Sequence, residues 1–457
     1  MPPHRRIDVV LDSVRRLVRI GATANLLNLL QKQHPADLAQ VLSGLNESER
    51  KAAFSLLLDR NARLAMEALA ELGAEMSASL LADRSAEDIA RFLHEIPSDD
   101  AAVIIEQLPQ ELAAAVVALV QARPGAGVGE LLEYAEQTAG RIMNPNVFAL
   151  NEDLTAGESI TALQGARDVE MVFYLYVVDA RRHLVGVVSL RRLLLVAPET
   201  PLKRIMTTDL ISARVDTDQE EVARQVASYN ILAIPVVDEE NKLAGVITVD
   251  DVIDVIKDEA TEDVYRLAGV STDDTVLSTP GESLRKRLPW LLVNLVTAFL
   301  AASVVAVFQG TISQVVALAV FMPVVAGMGG NAATQTLTVI VRGIALGELT
   351  WSNSRKALIK EGLVGLGNGA ALGLVAAAGA FALRGYPILG LILALAMIIN
   401  MFVAAIAGTL IPLSLRALKI DPALASSVFI TTLTDVFGFF SFLGLGTLFL
   451  RFLQRGG

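Results

Sequence analysis

The chain reads as a multi-domain, mostly helical membrane protein. In order along it come an all-α superhelical N domain, an α/β tandem repeat, an acidic connecting helix and a five-helix α transmembrane domain. Three observations predict this. Beyond Pro289 the chain is mostly uncharged. Residues 175–194 and 234–253 repeat one another at a constant offset of 59. Residues 34–57 and 85–108 form a looser, helix-period repeat at an offset of 51. The predicted divisions are 1–136 for the helical N domain, 137–256 for the tandem repeat, 250–285 for the acidic connecting helix and linker, and 286–457 for the membrane part.

Composition excludes several classes of function. The 457 residues include no cysteine, which removes disulfides, thiol nucleophiles and thiolate metal sites. The four histidines, His4, His34, His94 and His183, form no metal-binding pair and read as surface or capping residues. A net charge of -11 argues against nucleic acid as a partner and suits a protein that meets cations. No nucleophile–base pair or phosphate loop emerges, so the chain is not expected to be an enzyme. The basic, amphipathic N-terminus lacks a continuous apolar stretch, so no signal peptide is expected.

In the N domain, HPADLAQVLSGLNESERKAAFSLL (34–57) and SAEDIARFLHEIPSDDAAVIIEQL (85–108) each open on a cap-type residue. They predict a small stack of helices at right angles. Glu95, Asp99 and Asp100 fall at a helix start and read as caps, or as carboxylates sharing ions with the next domain.

The tandem repeat pairs LYVVDARRHLVGVVSLRRLL with IPVVDEENKLAGVITVDDVI. Each copy reads strand, polar turn, strand, helix, and one copy alone could not bury its sheet face. This resembles a tandem CBS module, a regulatory unit that often senses adenine nucleotides. The pattern Gly-apolar-apolar-Ser/Thr-x-x-Asp that contacts ribose in such modules is matched by Gly245, Thr248 and Asp251. The first copy has Gly186 and Ser189 but Arg192 in the last place, so ATP or another adenine nucleotide is expected at one site only.

From Asp216 to Asp263 there are fourteen carboxylates against Arg224, Lys242 and Lys257. A helix from about 250 to 268 carries Asp251, Asp254 and Asp258 along one face, where like charges repel unless cations screen them. A solvated acidic face and a divalent-cation sensor both fit. Oxygen ligands without His or Cys suit Mg2+, Ca2+ or Mn2+.

The uncharged run from Leu288 to Val341 holds two spans of ~20 residues each, divided at Gln309-Gly310-Thr311. Further spans lie between Glu361 and Arg384, between Arg384 and Arg416, and from Pro422 to Leu450. Nine basic residues flank the spans on the N-domain side and three on the other. This predicts a cytoplasmic N-terminus and an outward C-terminus in the cytoplasmic membrane. The small-residue third span is expected to be buried among its neighbours. Pro323 and glycines 327, 329 and 330 are expected to loosen the second, with Asn331, Thr334, Gln335 and Thr336 adding polar groups.

The fifth span holds one charge, Asp435, with Thr431 and Ser427 four and eight residues earlier on the same helical face. A mid-bilayer carboxylate costs roughly 2.5 kcal/mol or more unless partners or water meet it. An interhelical hydrogen-bonded Asp and a cation ligand both fit. The absence of an intramembrane Lys or Arg favours the cation.

The order of parts resembles the MgtE magnesium channels over nearly the whole chain. The stretches that carry the resemblance are PVVAGMGGNAATQTLTVIVRGIALGEL (323–349), DEATEDVYRLAGV (258–270) and DPALASSVFITTLTDVFG (421–438). The resemblance implies a homodimer in membrane lipid with a Mg2+ pore lined by spans two and five. Asp435 would be its selective carboxylate, with Thr431, Ser427 and Asn331 along the path. It also implies that intracellular Mg2+ closes the channel by binding Asp218, Glu220, Asp251, Asp254, Glu259, Glu262 and Asp263. Glu95 and Asp99 would contribute, and the connecting helix would act as the plug. The chain departs from the family pattern at Ala333-Thr334, at Val428 where proline is common, and at Asn230 where a carboxylate is common. Two other readings stay open: a divalent-cation transporter coupled to a proton or Na+ gradient, and a nucleotide-sensing receptor anchored by its spans.

Overall fold

A computed structural model describes residues 3–121, 127–166, 173–272, 274, 276, 278–384, 387–424 and 427–455. Two compact units divide the chain, 1–256 and 257–457.

In the first unit, side chains set the helix starts. His34 accepts from the Ala36 amide ahead of helix Pro35–Ser43, Asn46 from Glu49 ahead of Glu47–Arg60, and Ser85 from Asp88 ahead of Ala86–Phe92. His34 is therefore a cap, as expected. His94 is exposed, His183 bonds Asp179 at 2.8 Å, and the side chain of His4 lies outside those described. Asp99 and Asp100 lie in the first turn of helix Ser98–Glu106, whose N-cap, Pro97, makes no side-chain cap. Neither occupies the N-cap position, but the Asp99 carboxylate accepts from the Asp99 and Asp100 amides at the helix start, and Glu95 lies in the short 3-10 turn before that helix.

The two repeats build two three-stranded sheets, β1 (Ala149–Asn151), β2 (Tyr174–Val178), β3 (Leu184–Ser189) and β4 (Ala213–Arg214), β5 (Ala233–Val237), β6 (Leu243–Thr248). In each the first strand runs parallel to the second and the second antiparallel to the third. Tyr174 pairs with Ser189 and Ala233 with Thr248, so the offset of 59 survives as strand register. The repeats also interlock. Asn144 bridges to Val246 of β6, and Thr207 bridges to Val187 of β3. Gly186 and Gly245 permit this crossing: a Cβ on either would lie within 2.7 Å of the sulfur of Met206 or Met143. One core joins the helical region to the second repeat, with Leu42, Phe54, Leu69, Ile105 and Met143 in the same cluster as Ile234, Ile247 and Val252. The first repeat has its own core around Leu175, Val177 and Val188.

Helix Gln219–Tyr229 ends on Asn230 at φ 51. Asparagine tolerates the left-handed conformation better than Asp or Glu of similar bulk, which gives Asn230 a capping reason to stand there.

The connecting helix is Val249–Ala268. In the second unit its end closes with Gly269 at φ +68, and the Val270 amide reaches back to the Tyr265 carbonyl at 3.0 Å. Span one follows as Pro280–Val307, opened by a capping box between Thr279 and Glu282. Its basic collar is held in place, because Arg287 and Ser283 both bond the buried Asp274 and keep that carboxyl below the usual range. A short helix, Gln309–Gln314, fills the polar break before span two, Ala317–Ala345. Spans three to five are Ser354–Arg384, Pro387–Ala417 and Ser427–Leu448. All five are long and apolar enough to cross a membrane.

Two expectations about the spans are overturned. Span two is one uninterrupted helix. Pro323 falls in its second turn, where the lost hydrogen bond is a single one, and Gly329 and Gly330 serve close approach rather than a break. Span three is not the buried one: 17% of it is buried, against 56% of span four. Three of its glycines line one side, while Gly367 and Gly379 face away from any neighbour. Gly365, Gly369 and Gly373 abut the span-four backbone, where a Cβ would lie 2.7 Å from the Met401 carbonyl, 2.7 Å from the Ile398 Cα and 2.9 Å from the Ala394 carbonyl. Glycines one turn apart allow one tight helix–helix interface.

Candidate ion pathway and acidic face

Asp435 lies near the middle of span five, half-buried, and no hydrogen bond or ion pair engages its carboxylate among the described residues. The hydroxyls around it are spent within their own helix. Thr431 and Thr432 donate to the Val428 carbonyl at 3.1 and 2.7 Å, and Thr434 to the Thr431 carbonyl at 2.9 Å. Threonine bonded back in this way neutralises helix carbonyls and adds no donor for a neighbouring carboxylate. Thr431 keeps its place one turn from Asp435, and its methyl faces Gly330 of span two. The side chain of Ser427 lies outside those described. Asn331 is exposed on span two.

Three membrane residues escaped the sequence reading. Thr434 is fully buried beside Asp435. Asn400, also fully buried, donates from Nδ2 to the Val325 carbonyl at 2.9 Å. A lone amide in an apolar run was its only signal. Glu361 borders a cavity of about 190 Å3 with Gln335, Thr336 and Asn368; it accepts from Thr336 and pairs with Lys360.

The acidic candidates of the first unit separate into two groups. Asp99 is 9% exposed and its Oδ1 has no hydrogen-bond partner. Burial, then the charges of Asp251 and Asp100, push its carboxyl well above the usual range. The fold thus brings Asp99, Asp100 and Asp251 together from positions far apart in the chain. It assigns local tasks to others: Asp218 caps helix Gln219–Tyr229 by accepting from the Glu220 amide, and Glu220 pairs with Arg224 at 3.3 Å. Glu95 is exposed and acts on Arg63 rather than on Asp99. Asp254 lies exposed on the connecting helix.

In the second unit Glu259 and Asp263 are half-buried on that helix, while Glu262 is taken up by Arg266. Arg266 also pairs with Asp421, ahead of span five, and Leu267 packs on the cluster of Leu337, Val341, Ala404 and Ile430. Among the described residues no group of three or more His, Asp or Glu is arranged to hold a metal ion within one chain.

At the nucleotide motif, the Thr248 amide and hydroxyl both donate to Asp251 Oδ2, at 3.2 and 2.6 Å. Thr248 and Asp251 thus act as cap and third residue of the connecting helix. Ser189 caps the equivalent helix of the first repeat through the Arg192 amide.

Comparison with known proteins matches this layout piece by piece. A family model described as a divalent cation transporter, MgtE, matches residues 322–445; the MgtE intracellular N domain matches 33–137, and CBS domains match 139–199 and 202–258. The magnesium transporter MgtE of Thermus thermophilus is 38% identical over 336 residues, 73% of this chain and 74% of that protein. The chain belongs to the MgtE family. The Bacillus subtilis magnesium transporter MgtE is 36% identical over 73% of this chain and 74% of its own length. Among solved structures, the cytosolic domain of the Mg2+ channel MgtE in complex with ATP is 35% identical, with a TM-score of 0.50 over 54% of this chain and 99% of that one. The MgtE architecture of helical N domain, paired CBS repeats and five membrane helices is the one read from the sequence.

Proposed function

We propose that this MgtE chain conducts Mg2+ across the cytoplasmic membrane as a homodimeric channel, with Asp435 as the selective carboxylate. What carries the proposal is Asp435 itself: a carboxylate in the middle of an apolar helix, engaged by no cation or donor among the described residues. Such a group needs a cation or water to be tolerated there. Paired across a two-fold axis, two of them would face one ion, and Mg2+, which dehydrates reluctantly, would keep most of its waters. The MgtE relatives named as magnesium transporters supply the choice of Mg2+ among hard cations.

Gating follows from the acidic face. Asp99, Asp100 and Asp251 crowd one another, and an intracellular divalent cation would relieve both their repulsion and the unmet Oδ1 of Asp99. Asp254, Glu259, Glu262 and Asp263 continue the negative charge along the connecting helix, and Asp218 and Glu220 add to the carboxylates of the second repeat. Ion binding there would favour the closed state through differential affinity. The excess of basic residues flanking the spans on the N-domain side orients both CBS repeats to the cytoplasm. An adenine nucleotide at Gly245, Thr248 and Asp251 is a second input, suggested by the ATP-bound cytosolic domain of the relative.

Mg2+ flux into liposomes, without an imposed proton or Na+ gradient, tests the reading. Asp435→Ala is expected to abolish flux. Wild-type flux in that variant would sink the pore assignment, and flux that requires a proton or Na+ gradient would replace the channel with a coupled transporter.

A further inference from the structure

Asn400 sits at the centre of span four, fully buried, where its amide is wedged between two glycines of two other spans. A Cβ on Gly329 of span two would lie 2.2 Å from Asn400 Nδ2, and a Cβ on Gly438 of span five 2.7 Å from the same atom. From Oδ1 both would lie 3.2 Å away. Only hydrogen fits at either position, so each glycine brings its backbone directly against the amide. Nδ2 donates to the Val325 carbonyl at 2.9 Å, one turn before Gly329, whereas Oδ1 has no conventional donor.

A leucine would fill a similar volume without leaving a carbonyl unsatisfied in an apolar core, which is costly. What leucine could not do is grip the Val325 carbonyl. The amide therefore joins spans two, four and five at one height. That height matters because Gly438 lies one turn after Asp435. One turn before Asp435, the methyl of Thr431 lies 3.3 Å from where a Cβ on Gly330 would be. Adjacent glycines of span two thus bracket Asp435 on both sides.

We infer that Asn400 is a positioning residue for ion selection: its amide holds span five against span two and so sets the place of the Asp435 carboxylate. The inference rests on the pore reading above. Asn400 touches no ion; it acts through Val325, Gly329 and Gly438.

The test is Mg2+ flux in liposomes containing the full chain, read as half-saturating Mg2+ and as the Mg2+/Ca2+ flux ratio, with thermal stability measured on the same preparations. Asn400→Ala is expected to raise half-saturating Mg2+ by about tenfold and to lower the ratio, the lower end of the scale on which a lost outer-shell partner of a metal ligand is felt. Asp435→Asn alone is expected to abolish flux, as Asp435→Ala does. Gly438→Ala, which pushes the amide from the other side, should shift both in the same direction, and it serves if Asn400→Ala does not fold. Gly438→Ala combined with Asn400→Ser, which frees room for the methyl, should move them back toward wild type. If either single variant lowers thermal stability but leaves half-saturation and ratio at wild-type values, Asn400 is structural only and the inference is wrong. If Asp435→Asn alone has wild-type half-saturation and ratio, the pore reading falls, and the inference falls with it.

Discussion

Replacing Gly269 by alanine should undock the end of the connecting helix from the membrane unit. Two penalties act at this residue. Its φ of +68 is left-handed, and an L-residue there costs roughly 1–2 kcal/mol. An added Cβ would also lie 1.8 Å from Trp290 Nε1 and 2.3 Å from its Cδ1, so the indole must swing away. That movement breaks the edge-to-face contact of Trp290 with Phe429, whose ring centroids are 5.8 Å apart, a pair worth about 0.5–1.5 kcal/mol beyond its area. Together these give about 2–3 kcal/mol against the docked helix end, a shift of roughly 30-fold or more in its equilibrium. The chain has two tryptophans, and Trp351 is exposed, so a change in buried emission reports on Trp290. Gly269→Ala should redshift that emission and speed proteolysis within the linker that follows. Gly269→Asn, which tolerates the backbone but keeps the clash, should do nearly as much, and Gly269→Ala with Trp290→Ala, read by proteolysis, should relieve the clash but keep the backbone cost. If Gly269→Ala leaves emission and cleavage unchanged, the assignment of Gly269 as the seat of the indole is wrong.

Two further outcomes are expected. Asp99→Asn removes a buried, half-unsatisfied charge crowded by Asp251 and Asp100, so in chelator the purified chain should unfold about 1–3 kcal/mol less readily. Added Mg2+ should then stabilise it less than wild type; equal stabilisation of both by Mg2+ would clear Asp99 of ion binding. In the turn between β2 and β3, Arg182 has φ 68, matched by Asn241 at φ 63 in the second copy. Arg182→Gly should stabilise the chain by about 1 kcal/mol and Asn241→Gly by less, measured by thermal unfolding, because asparagine bears the left-handed conformation better than arginine.

Much of this protein is legible along the chain because its causes are local. A stretch of lipid-soluble side chains demands a helix, so the spans and their polar break at Gln309 followed from composition. A repeated strand–turn–strand pattern dictates repeated pairing, so the offset of 59 reappeared as β-register. Asp435 was visible because a charge in an apolar run needs no partner to be noticed. The tertiary structure decided what depends on neighbours. Glycine and alanine in span three announced close packing, but not that only one side packs while the rest is exposed. Pro323 and its glycines suggested a broken helix, and only the contacts with Asn400 and Thr431 reveal that Gly329 and Gly330 make room for other side chains. Asp99 and Asp251 stand 152 positions apart, from one numbering, and their mutual charge exists only once the helical region and the second repeat share a core. Periodicity and charge are properties of a segment; burial, crowding and the partner of a polar atom belong to the folded chain alone.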